Sequence, residues 1–353
     1  MAMSDSFNLD ALLDSAPAAA TWVEAGDILK RRYGLEGNIQ PLSSERDANF
    51  RVDAAEGCYL LKITNPAEDP KVTELQSCAL RHLEVSAPTL PVPRIVETRE
   101  GQDHAFEMLA DHLHVVRLMS YLPGVPLGMV AGSAQMRSAV GRALGELDAG
   151  LRGFQHPAAD HDLLWNVSNA LRVRRLIPCV QDERRRAIAE KALDDFELHA
   201  VQRIPTLRTQ VIHNDFNPHN ILVAEESSTI RITGIIDFGD IIRAPLVNDV
   251  STAIAYQDYE VHSPFEIAAD VVAAYHERFP LMPEELDVIF DLVRARQVMV
   301  GAITAWRAAR QPRNRLYILR NSARAWAGLE SFEGIGRAEF RQVLKQACER
   351  SSK

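Results

Sequence analysis

The apolar residues of this chain change period once, and that change limits the folds open to it. Between residues 39 and 119 they come in short runs, at 39–42, 49–52, 58–63, 94–97, 104–109 and 115–119, divided by turn residues such as Glu56-Gly57. Short runs joined mostly by turns describe an antiparallel sheet, and 94–97 with 104–109 is expected to be one of its hairpins. Two helices are expected among them. Thr21 and Glu24 form a capping box for the first, which Gly34 ends. Asp69-Pro70 starts the second, with Asp as cap and Pro at the first helical position, and its buried stripe is Val72, Leu75, Ala79 and Leu83. After Tyr121-Leu122-Pro123-Gly124 apolar residues recur at helical spacing, which predicts helices over 133–154, 182–200, 246–260, 264–278, 283–310 and 312–330. One exception is a small hairpin, 221–223 with 230–236, around Glu225-Glu226-Ser227-Ser228. The class is α+β, with an antiparallel β-rich N-lobe and a mainly helical C-lobe. The divisions read as a leader over 1–20, an N-lobe over 21–120 and a C-lobe over 121–353, and 353 residues suit two lobes better than one core.

Bulk properties remove several classes. The net charge of −9 disfavours a nucleic-acid partner, which usually meets a basic surface. No run approaches the ~18 apolar residues of a membrane span. The first twenty residues carry Asp5, Asp10 and Asp14 and no basic start, so no signal peptide is expected. Cys58, Cys78, Cys179 and Cys348 are scattered, which fits free thiols in a reducing cytoplasm. The histidine-bearing stretches Asp111-His112-Leu113-His114 and His156 to Asp162 give no compact ligand set and read as exposed loops.

The chemistry concentrates in residues 211–223, which read Val-Ile-His-Asn-Asp-Phe-Asn-Pro-His-Asn-Ile-Leu-Val, and in Ile235-Ile236-Asp237-Phe238-Gly239-Asp240. Asp215 and Asn220 share a loop, and Asp237 opens the next. Mg²⁺ prefers oxygen ligands and keeps several waters, so one carboxylate and one amide carbonyl suffice beside nucleotide phosphates. A second carboxylate is then available to take a hydroxyl proton. His213-x-Asp215-x-x-x-x-Asn220 followed by Asp237-Phe238-Gly239 matches the catalytic and metal loops of the protein-kinase-like superfamily. The match assigns Asp215 as base, Asn220 and Asp237 as Mg²⁺ ligands, and His213 as a brace for the loop.

Further residues take expected places around this motif. Lys62 lies between hydrophobes on a strand, and a Lys62–Glu74 pair would aim its ammonium at the α/β-phosphates. The glycine-free turn with Ser43 and Ser44 stands where a phosphate-covering loop would, and Ser120, Tyr121 and Leu122 where adenine would meet backbone groups. Asp240 and Trp165 are candidates for the acceptor site. Asp249, near a helix start, reads as a capping carboxylate.

Asn214 in place of arginine, and the lack of an Ala-Pro-Glu segment after Asp237, separate the chain from protein kinases. It resembles the aminoglycoside phosphotransferase and choline kinase branch, closest to the hydroxylysine kinase-like group. The resemblance rests on Ser44-Glu45-Arg46-Asp47-Ala48-Asn49-Phe50, Lys62, Glu74, His156-Pro157, Leu164-Trp165 and the two catalytic strings. It implies a two-lobed protein-kinase-like fold and transfer of phosphate from ATP or GTP, with Mg²⁺, to the hydroxyl of a small cationic acceptor such as an amino alcohol or hydroxy amino acid. Asn166 departs from the acidic residue expected after Trp165 in that group. Neither nucleic acid nor membrane is an expected partner, and the chain is expected to be a monomer or homodimer. The competing readings are a nucleotide-binding regulator without catalysis and an aminoglycoside- or choline-type kinase.

Overall fold

In a computed structural model, residues 18–44, 46–226, 229–311 and 315–351 are described. Most of the 1–20 leader, Glu45 and the hairpin tip Ser227-Ser228 lie outside them. The chain divides into two compact units, one running through Pro123 and including His156–His161, the other holding Gly124–Gln155 and Asp162 onward.

The first unit opens with α1 (Trp22–Ile28), whose Thr21/Glu24 capping box forms as predicted, and runs through a π-helical turn to Gly34 in the left-handed region. The sheet follows, with β1 (Gly37–Leu42), β2 (Ala48–Ala54) and β3 (Gly57–Ile63), then α2 (Pro70–Ser86), β4 (Ile95–Val96), β5 (Ala105–Leu109) and β6 (His112–Ser120). Every pairing is antiparallel. Alternate residues Phe50 and Val52, Leu61 and Ile63, and Val116 and Leu118 point to one face and bury against Ala25 and Ile28 of α1 and Leu29 of the π-helical turn. On the opposite face Arg117 reaches α2, where Gln76 Oε1 accepts from it at 2.6 Å. The predicted β4–β5 hairpin does not form. Both strands pair with β6, which at nine residues is long enough to hold β5 along its first half and β4 near its end. His114 is also not an exposed loop residue. It is buried on β6, with Nδ1 2.8 Å from the Thr64 carbonyl.

The second unit holds β7 (Val125–Pro126), α3 (Ala134–Gly150), a 3-10 run (Val167–Cys179), α4 (Glu183–His199), β8 (Thr209–Ile212), β9 (Ile221–Glu226), β10 (Thr229–Ile235), β11 (Ile242–Pro245), α5 (Val247–Ala255), α6 (Pro264–Arg278), α7 (Pro283–Leu286), α8 (Ile289–Arg310), α9 (Arg315–Ile318), α10 (Ser322–Ser331) and α11 (Arg337–Ser351). The 22-residue α8 is buried nearly all round, which is why its sequence shows little amphipathic bias. Helices α3 and α6 approach closely because Gly141 has no side chain; a Cβ there would lie 2.2 Å from the Val271 carbonyl oxygen. Two short ladders frame the motif. β8 pairs with β11, and β9 lies between β10 and β7. Sequence periodicity missed the 3-10 run, β11 and α11, and merged α7 with α8, which part at Asp287-Val288. Among the described residues no helix is long and apolar enough to cross a membrane.

Candidate active site

Strand pairing brings the motif residues of the second unit together. Residues 213–220 form the loop between β8 and β9. Ile221 faces Ile235 across the β9–β10 ladder, and the Ile236 N–H donates to the Asn220 carbonyl at 2.9 Å. Asn220 and Asp237 therefore stand at adjacent strand ends. Two non-glycine residues here adopt left-handed backbone, Asn214 at φ 64° and Asp237 at φ 62°. Asn and Asp tolerate that region better than other residues, and such outliers cluster at functional sites.

The Asp215 carboxylate is held on both oxygens. Oδ2 accepts from Asn220 Nδ2 at 2.8 Å and from Asn217 Nδ2 at 2.9 Å, and Oδ1 accepts from Arg296 Nη2 at 3.0 Å. Burial pushes this carboxyl up to about 7, the Asp240 charge adds to the rise, and Arg296 and Asn217 oppose it. Because Asn220 commits its side-chain nitrogen to Asp215, its side-chain oxygen Oδ1 is the end left for a cation. Asp237 is exposed, and its Oδ1 accepts the Gly239 N–H at 3.2 Å. An amide carbonyl beside an exposed carboxylate is the all-oxygen donor chemistry that Mg²⁺ favours.

The loop is fixed from behind. His213 is fully buried, with Nε2 3.1 Å from the Ile236 carbonyl and Nδ1 accepting the Asp215 N–H at 3.3 Å. Burial lowers its proton affinity, which suits a neutral brace. Asp249 does not cap its own helix. Helix α5 has no side-chain cap, and the Asp249 oxygens instead accept the N–H groups of His213 at 2.9 Å and Asn214 at 2.6 Å. Behind Asp249 lies Asp148, fully buried and bonded by the Tyr275 hydroxyl at 2.7 Å.

The acceptor-side candidates differ in their commitments. Asp240 is buried in a short 3-10 turn, Phe238–Asp240. The Trp165 ring carries the Arg296 guanidinium at 5.1 Å, and the Trp165 carbonyl accepts from the same side chain. Asn166 caps the 3-10 run by accepting the Ser168 N–H at 3.1 Å, and it also accepts from Asn248 Nδ2.

In the first unit, Lys62 does not pair with Glu74. Its Nζ lies 2.9 Å from Asp47 Oδ2, whereas Glu74 is exposed on α2. Helix α2 turns Thr73, Gln76 and Ser77 toward the sheet and Arg117, and Glu74 lies about 100° around the helix from Thr73. Ser43 is exposed and Ser44 half-buried. The Ser120 hydroxyl accepts the Arg94 N–H at 2.9 Å, the Tyr121 N–H donates to the Cys58 carbonyl at 3.0 Å, and Leu122 is half-buried.

Sequence reasoning did not single out Asp47, Asn217 or Arg296. The register offered a signal for Asp47, because Asn49 faces Lys62 across β2–β3 and Asp47 lies two residues beyond. The signal for Arg296 was a cluster of polar residues inside a long helix that is otherwise largely apolar, Val293-Arg294-Ala295-Arg296-Gln297-Val298.

An antiparallel sheet with its helix, followed by a helical unit carrying this carboxylate–amide loop, defines a phosphotransferase of protein-kinase-like fold that acts on small molecules. The chain belongs to the phosphotransferase enzyme family (APH), whose model matches residues 38–289. It is similar to the hydroxylysine kinase of Mus musculus, 26% identical over 355 residues and covering 93% of each chain. The fold resembles the microcompartment-associated aminopropanol kinase, with a TM-score of 0.71 and 19% identity over 88% of this chain and 97% of that one. It also resembles the amicoumacin kinase hAmiN solved with AMP-PNP and Ca²⁺, with a TM-score of 0.61 and 16% identity over 83% of this chain and 91% of that one.

Proposed function

We propose that the chain moves the γ-phosphoryl group of ATP, or of GTP, to the hydroxyl of a small amine-bearing acceptor, an amino alcohol or a hydroxy amino acid. The observation that carries this reading is the Asp215 carboxylate, held on both oxygens beside Asn220 and Asp237. Asp215 takes the acceptor proton as the new O–P bond forms and the bond from the γ-phosphorus to the nucleotide diphosphate breaks. The products are a phosphomonoester and the nucleoside diphosphate, and the proton leaves Asp215 for solvent. Asn220 through its side-chain oxygen and Asp237 through its carboxylate would hold Mg²⁺, which neutralises charge on the phosphates when bound. Lys62, kept in place by Asp47, is the cation for the α/β-phosphates. Backbone groups around Ser43 and Ser44 cover the phosphates, and those of Ser120, Tyr121 and Leu122 meet the base. An acceptor amine is drawn by the negative charge of Asp240.

The similarity to hydroxylysine kinase along nearly the whole chain supports the amine-bearing acceptor. The test is release of nucleoside diphosphate with Mg²⁺ and ATP or GTP, screened over hydroxylysine, homoserine, ethanolamine, choline and aminoglycosides. Release that depends on one of the amine-bearing alcohols is expected. Release no faster with any acceptor than without would overturn the reading in favour of a nucleotide-binding regulator.

A further inference from the structure

Arg296 touches the proposed base, and no part of the catalytic motif accounts for it. It sits in the middle of α8 with 1% of its side chain exposed. Its guanidinium lies over two aromatic rings, 5.1 Å from the Trp165 centroid and 5.5 Å from that of Tyr256. Nη1 donates to the Trp165 carbonyl, and Nη2 donates to Asp215 Oδ1 at 3.0 Å and lies 3.4 Å from the Tyr256 hydroxyl.

We infer that Arg296 is a positioning residue for phosphoryl transfer. It locks the Asp215 carboxylate in one orientation and makes Oδ1 the oxygen that receives the acceptor proton. The inference rests on the reading of Asp215 as base. Each carboxylate oxygen offers two lone pairs. Oδ2 uses both, on Asn217 and Asn220, whereas Oδ1 uses one on Arg296 and keeps one for the acceptor hydroxyl. A planar guanidinium can lie over two rings and donate in two fixed directions at once, whereas a lysine ammonium is a point charge on a flexible stem. The same fork ties Asp215 to the Trp165 carbonyl, so the acceptor-side segment and the base share one anchor. With both Nη nitrogens engaged and 1% of the side chain exposed, Arg296 acts through Asp215 and not by touching the acceptor; its buried Nε has no hydrogen-bond partner.

The test compares Arg296→Lys, Arg296→Ala and Asp215→Asn with the wild-type chain, once an acceptor is known. Arg296→Lys is expected to fold and bind ADP, with kcat lowered on the order of 10–10²-fold and acceptor KM within about threefold, the cost of a misplaced catalytic group. Arg296→Ala should fall further, and methylguanidinium should restore part of kcat where methylammonium at equal ionic strength does not. A purely structural arginine would give lower melting temperature and weaker ADP binding without rescue selective for guanidinium, and that result overturns the inference. So does an Arg296→Lys enzyme with kcat within about threefold of wild type, or one whose loss lies wholly in acceptor KM. If Arg296→Ala does not fold, the Arg296→Lys split decides alone. Full turnover in Asp215→Asn would remove the base reading itself; an inactive Asp215→Asn beside a normal Arg296→Lys would remove only the role of Arg296.

Discussion

Asp47 and Lys62 form a 2.9 Å ion pair at the end of the β2–β3 ladder, with 11% and 12% of their side chains exposed. Burial alone would raise the Asp47 carboxyl, but the charge and hydrogen bond of Lys62 and the Asn65 N–H outweigh it and hold the group below the ordinary carboxylate range. Asp47→Asn removes this carboxylate charge from a mostly buried ammonium. It is expected to cost about 1–3 kcal/mol in urea unfolding and to raise nucleotide KM. Glu74→Gln, at an exposed site, should stay within about 0.5 kcal/mol with nucleotide KM unchanged. Equal effects from the two substitutions would return Glu74 to the role of Lys62 partner.

Asp215→Asn keeps the shape of the side chain and removes its capacity to take a proton. Turnover is expected to fall by ~10²–10⁴-fold, with nucleotide affinity close to wild type. Initial rates and ADP titration by calorimetry check this together. Turnover within a few-fold of wild type would end the assignment of Asp215 as base.

The Asp148–Asp249 pair makes stability depend on pH. Both carboxyls are fully buried. Burial and then the charge of Asp249 raise Asp148 well above its ordinary value, and burial raises Asp249 to about 7 against the opposing N–H groups of Asn214 and His213. The folded state therefore holds protons that the unfolded chain releases near pH 4. The stabilising contribution is complete below that pH and is lost as pH rises through about 7. Asp148→Asn removes one of the two charges, so its melting temperature should fall less between pH 6 and 8 than that of the wild type. Parallel melting curves for the two proteins across that range would sink the idea.

Gly141→Ala tests the helix contact behind the site. Its Cβ would lie 2.2 Å from the Val271 carbonyl oxygen and 3.1 Å from the Tyr275 nitrogen, both backbone atoms that cannot rotate away. Forcing α3 and α6 apart is expected to cost about 1–3 kcal/mol. Because Tyr275 bonds Asp148, turnover should fall as well. An unchanged melting temperature would show that the two helices can separate freely.

Much of this protein was legible in the sequence because the signals were local. Alternation over a few residues marked β1, β2 and β3, and caps such as Thr21/Glu24 and Asp69-Pro70 marked α1 and α2. Asp215, Asn220 and Asp237 announced themselves by short, fixed spacing, since one loop and one strand end must carry them. What the sequence could not supply was the identity of partners far apart in the chain. Whether Lys62 meets Asp47 or Glu74 depends on which side of α2 faces the sheet. Whether Asp249 caps its own helix or the catalytic loop depends on where α5 packs. Arg296 reaches Asp215 only because the buried helix α8 crosses behind the loop. A lone charged residue has no period from which its partner can be read. Local spacing marked the candidate site, and burial of the helices in three dimensions decided which side chains hold it in place.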